Sequence, residues 1–162
     1  MLTRCNIVLA RFGLRAAVAG LVLIVIVVAW QVFGRYVMGD SPTWTESLAL
    51  VLILYVTLIG AAVGVRDAGH LGMESLLVLA PEKIRGKVEM VIHLMVGGFG
   101  AAMLYNAWVL GASVAAYKIA NLDMSEAVRY VPLGFSGALI VLFSLEHVIA
   151  LMQGKDVEPA WL

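Results

Sequence analysis

The charged and imidazole side chains that could do chemistry in this sequence are few, and they sit at the edges of long apolar runs. Arg35 and Glu46 flank one boundary of those runs, while Arg66, His93, Glu146 and His147 flank the other. An ionisable group at the centre of a bilayer costs about 2.5–3.5 kcal/mol on insertion scales and marks ion or proton pathways. No run carries one at its midpoint, which speaks against a chain that moves a proton or an organic ion by itself. His93 and His147 lie on different runs at similar depth, and two such imidazoles suit haem ligation, hence a redox membrane anchor. A pair with no companion histidines also matches two interfacial side chains that face headgroups or bond a neighbouring helix. The single cysteine, Cys5, gives neither a disulfide framework nor metal-ligand spacing and reads as a free cytoplasmic thiol.

The elements that must position these groups are membrane spans. The 162 residues are 62% hydrophobic and 14% charged, with a mean hydropathy of +0.98, beyond what a soluble domain of this size carries. Net charge is zero, so nothing points to nucleic acid. The fold expected is an all-α integral membrane protein, one membrane domain over residues 1–162, with four transmembrane helices at about 14–37, 45–65, 88–117 and 131–152. The first run is too long for a signal peptide and is expected to stay as an anchor. The third exceeds the roughly 20 residues a span needs, so it should tilt or project at one end.

Basic residues are retained on the cytoplasmic side. The N-terminus, the central connection and the C-terminus together hold eight Lys and Arg, and the other two connections hold three. Both termini should therefore be cytoplasmic. Tyr36, Trp44, Tyr117 and Tyr130 flank the outer ends, where amphipathic rings settle. Between helices 2 and 3, residues 70–80 form an apolar stretch too short to span, expected as a short interfacial amphipathic helix ended by Pro81. No internal repeat of the kind found in many complete secondary transporters is present.

Helix faces carry the next signal. Glu46, Leu50, Ile53, Thr57, Gly60 and Gly64 recur at spacings of four and three on helix 2, and Gly60 with Gly64 lets another backbone come close. This face suits either another subunit or helix 1 or 4 of the same chain. His93, Gly97, Gly100, Leu104, Ala107 and Gly111 make a similar packing row on helix 3. Asn106, beside that row, is expected to make an interhelical hydrogen bond.

The ordered set Arg35-Tyr36, Trp44-Thr45-Glu46, Gly60-Ala61-Ala62, Arg66 and Gly69-His70-Leu71-Gly72-Met73-Glu74, followed by Arg129-Tyr130-Val131-Pro132-Leu133-Gly134, resembles the small membrane subunit of tripartite ATP-independent periplasmic (TRAP) transporters, the DctQ-like family. The resemblance covers most of the chain. Ser47 and Leu50 stand where the family often has a second carboxylate and a basic residue, and Asp67 where a basic residue is common.

The resemblance implies that a periplasmic (DctP-like) binding protein captures an organic carboxylate and a large (DctM-like) permease subunit carries it across on a sodium gradient. The small subunit, a non-enzyme of the bacterial inner membrane, would scaffold the large one and contact lipid. It would hold no cofactor of its own, with sodium coupling in the large subunit. Arg35, Trp44, Glu46, Gly60, Gly64, Arg66, His70 and Pro132 are then candidates for subunit contact or interfacial anchoring. Glu46 would cap its helix, pair with Arg35 or meet a partner's cation; Arg66 and His70 would hold the inner connection against headgroups or the large subunit. The rivals are a self-sufficient four-helix exporter working as a homodimer, and the haem anchor.

Overall fold

The computed structural model describes residues 2–40, 42–67 and 82–153. Among them are four long helices and no strand: α1 (Leu2–Phe33), α2 (Thr43–Asp67), α3 (Glu82–Val114) and α4 (Val131–Gln153). Each is long and apolar enough to cross a membrane. The expected interfacial segment at 70–80, with Gly69 and His70, lies outside the described residues, as does the chain beyond Gln153.

Two helices begin earlier than the apolar runs suggest. The start of α1 is a packed extension, because Asn6 and Ala10 are buried against neighbouring helices, and Arg11 and Arg15 continue a helix as readily as leucine does. In α3 the added turns are charged, with Arg85 and Glu89 paired at 3.7 Å. At about 1.5 Å per residue α3 is roughly 50 Å long against a hydrocarbon core of about 30 Å. Its N-terminal turns are therefore the part that projects.

The helices form an open row in the order α1, α2, α4, α3, with only slight contact between α1 and α4. Helix α4 is the most enclosed, with 44% of its most apolar stretch buried against 17% for α2 and 11% for α1 and α3. Ala10, Ala62, Val63, Leu139, Ile140 and Phe143 make the core where α1, α2 and α4 meet. Small residues allow close approach elsewhere: Gly13 and Gly20 of α1 lie against Val63 and Val56 of α2, and Gly97, Gly100 and Ala107 of α3 lie against Ser144, Gly137 and Gly134 of α4. The helix 3 row read from the sequence is thus the α3–α4 seam. An open row leaves wide apolar faces, including Met95 and Trp108 at 71% and 79% exposure, which lipid or a membrane partner can cover and water cannot.

At the ends here called outer, following the count of basic residues, the turns are tight. Helix α1 closes in a π-helical turn, Gly34–Met38, capped by Gly39 in the left-handed region at φ 71°. A side chain at Gly34 would meet the Asp40 carbonyl at 2.9 Å. Between α3 and α4 a short antiparallel bridge joins Lys118 to Ser125. Ser125 then caps a 3-10 turn, Glu126–Arg129, by accepting from the Ala127 N–H. Helix α2 holds this loop through Ser47 Oγ to Ala120 O (2.9 Å) and Tyr55 OH to Val128 O (3.0 Å).

Candidate functional site

The opposite, inner ends of all four helices converge on one buried polar cluster. Helix α1 contributes Asn6, the last turn of α2 Arg66 and Asp67, α3 His93, and α4 Glu146 with His147; all six are buried, Arg66 at 1% exposure. Arg66 engages Glu146 through two parallel bonds, Nε to Oε2 at 3.2 Å and Nη2 to Oε1 at 3.3 Å. Its Nη1 reaches Asp67 Oδ1 at 3.1 Å. Asn6 Nδ2 donates to Glu146 Oε2 at 2.9 Å, so Glu146 accepts from both α1 and α2 and is the node of the cluster. The ring of Phe143 lies 5.9 Å from the guanidinium carbon, within cation–π range.

Helix-end chemistry completes the arrangement. The last carbonyls of a helix have no intrahelical donor, and His147 Nε2 lies 3.0 Å from the Arg66 carbonyl oxygen. A carbonyl only accepts, so Nε2 carries the proton and donates. His93 stacks on His147 with ring centroids 4.4 Å apart and planes 4° from parallel. These bonds and stacks lie between the chain's own helices. Such a cluster clasps helices. Among the described residues no group of three or more His, Cys, Asp or Glu has metal-binding geometry.

This placement corrects several expectations. Arg66 turns inward, where the carboxylates of Glu146 and Asp67 in its own chain neutralise it. Asp67, a departure from the family pattern, is one of those neutralising groups. Pro132, expected among subunit-contact or anchoring residues, is fully buried where α4 begins, a position that suits proline because first-turn N–H groups have no partner to lose. His93 and His147 do meet, but face to face, whereas two haem ligands direct ring nitrogens at an iron between them. Asn106 points away from α4 and bonds its own helix, Nδ2 to Ala102 O at 2.8 Å.

Other candidates remain outward. Arg35 and Glu46 are exposed, and among the described residues they form no ion pair with each other and Glu46 bonds no helix N–H. Glu46 does occupy the first turn of α2, where the helix dipole favours a carboxylate. Trp44 is 41% exposed at the same end. A side chain added at Gly60 or Gly64 would meet nothing within 4 Å. Packing among the described residues therefore does not explain that pair.

Four apolar spans whose inner ends are joined by buried ionic groups define an all-α integral membrane protein. Comparison with known proteins makes this specific. Residues 24–154 match the family described as tripartite ATP-independent periplasmic transporters, DctQ component, and the chain belongs to that family. It is 24% identical over 127 residues to the sialic acid TRAP transporter small permease protein SiaQ of Vibrio cholerae, covering 78% of this chain and 73% of that one. It is 25% identical over 130 residues to the C4-dicarboxylate TRAP transporter small permease protein DctQ of Pseudomonas aeruginosa, covering 76% of this chain and 61% of that one. A third match, 36% identical over 66 residues, covers 41% of this chain but 11% of the sialic acid TRAP transporter permease protein SiaT of Haemophilus influenzae. The family is one of transporter subunits in the inner membrane, and the chain is not an enzyme.

Proposed function

We propose that this chain is the small permease subunit that braces a large permease subunit during sodium-driven uptake of an organic carboxylate delivered by a periplasmic binding protein. The observation that carries this reading is the internally satisfied cluster at Arg66 and Glu146, joined to an open row whose broad faces await a partner. A brace needs rigid helix ends and exposed flanks, and this chain has both. Two relatives named for sialic acid and C4-dicarboxylate transport point to a carboxylate cargo. A segment similar to this one forms 11% of a longer TRAP permease protein, which suits a unit that works beside a large permease. Sodium coupling is assigned to the large subunit, and both termini of this chain to the cytoplasm.

The exporter reading lacks its central requirement. Glu46 stands at the entrance of α2 and is exposed, while Glu146 is tied to Arg66 and Asn6. Expressed from its own operon with a tag and extracted in mild detergent, the chain should bring down a large membrane protein in fixed stoichiometry, and sodium-dependent uptake should fail without it. Recovery alone or as a homodimer, with the neighbouring permease present and folded, would overturn the assignment.

The open glycine pair on α2 gives a sharper test. Gly60→Leu with Gly64→Leu is expected to leave the unfolding midpoint of the purified chain unchanged or slightly raised, because a Cβ at either position meets nothing within 4 Å among the described residues and leucine is the better helix former. The recovered large permease should fall several-fold, since bulk replaces a surface that lets backbones approach. Full recovery of the complex would assign this face to lipid.

A further inference from the structure

The far face of α3 carries a polar group that the described residues satisfy only in part. The row from His93 to Gly111 packs on α4, and on the opposite side Met95, Phe99, Ala102, Asn106, Val109 and Ser113 follow one another at spacings of four and three. All six are exposed. Asn106 lies eight residues, about 12 Å, from the C-terminal end of α3, within the apolar span. An asparagine amide has two N–H donors and a carbonyl acceptor. One N–H is used by Ala102 O at 2.8 Å; the other N–H and Oδ1 have no partner among the described residues.

Hydrocarbon offers no hydrogen bonds, so a polar group left facing lipid within a span is costly, and such groups in membranes pair across helices. The sequence places Asn106 where an interhelical bond is expected, yet among the described residues the only helix packed along α3 is α4, on the other side. We infer that the face of α3 through Phe99, Asn106 and Val109 seats a transmembrane helix of the large permease subunit, whose side chain or carbonyl at that depth completes the Asn106 amide. Ala102, one turn away, lets that helix approach closely. A lipid tail could cover the apolar members of this face but has no donor or acceptor for the amide. The inference rests on the scaffold reading above and names the surface that reading leaves open on α3.

The substitution Asn106→Leu separates the alternatives because its two effects have opposite signs. In the isolated chain, leucine suits a lipid-facing position better than an amide, so the unfolding midpoint in detergent should stay or rise. In the complex, the loss of one interhelical bond should weaken recovery of the large permease about fivefold, and Asn106→Gln should retain it. A photo-crosslinking side chain at Phe99 or Val109 should label the large permease, whereas one at Val25 on the outer face of α1 should not. Undiminished recovery with Asn106→Leu, or adducts from Phe99 and Val109 to lipid or to a second copy, would overturn this inference while leaving the scaffold reading in place. A wild-type chain that recovers no large permease would overturn both.

Discussion

Replacing Glu146 with leucine should lower the stability of the chain by about 3–5 kcal/mol, the range seen when one partner of a buried ion pair is removed. Almost none of that loss comes from packing. Arg66 is 1% exposed, and without Glu146 its Nε and Nη2 lose their acceptors while the charge stays buried. Asn6 loses its acceptor on the same carboxylate, so the start of α1 is released together with the contact between α2 and α4. The control is to remove the charges as a set. Buried ion pairs replaced entirely by apolar residues of similar volume are often no less stable, so Arg66→Met, Asp67→Asn and Glu146→Leu combined should recover most of the loss. Denaturant titration of the purified chain in mild detergent, followed by helix signal, measures both. If Glu146→Leu unfolds at the wild-type midpoint, the cluster is not what joins the helix ends.

That cluster was only partly legible in the sequence. Arg66 and Glu146 could be placed at the same inner level, because both follow long apolar runs at matching distances from their ends. Their pairing could not, since they are 80 residues apart and the bond depends on α2 lying beside α4. The order α1, α2, α4, α3 is not written in local periodicity. In water, an amphipathic stripe shows which way a helix faces; in lipid both faces are apolar, and only small or polar residues betray a seam. This is why the Gly97, Gly100 and Ala107 row was readable while the inward turn of Arg66 was not. Asn6 was hidden for a further reason: it precedes the apolar run, in a stretch that the structure makes helical and packs through Asn6 and Ala10. The spans themselves were legible because a long apolar run has few other uses.

Gly137→Ala is the second large effect, and it isolates the α3–α4 seam from the ionic cluster. A methyl group there would stand 2.7 Å from the Gly100 carbonyl oxygen and 2.8 Å from the Leu104 nitrogen, both backbone atoms of α3. No side-chain rotation relieves such a contact, so α3 must move as a body. Overpacking of this kind costs about 1–3 kcal/mol, and Gly137→Leu should exceed it. Gly64→Ala is the matched control: the same methyl on α2 meets nothing within 4 Å, and alanine's higher helix propensity makes that change neutral or slightly stabilising. The seam matters because, among the described residues, α4 is the only helix that holds α3 along its length. Displacing α3 would draw His93 off His147 at the inner end and shift the Asn106 face at the outer. Gly137→Ala should therefore lower both the unfolding midpoint of the isolated chain and its recovery of the large permease, whereas Asn106→Leu lowers only the recovery. Equal midpoints for Gly137→Ala and Gly64→Ala would show that the two helices do not approach as closely as their glycines allow.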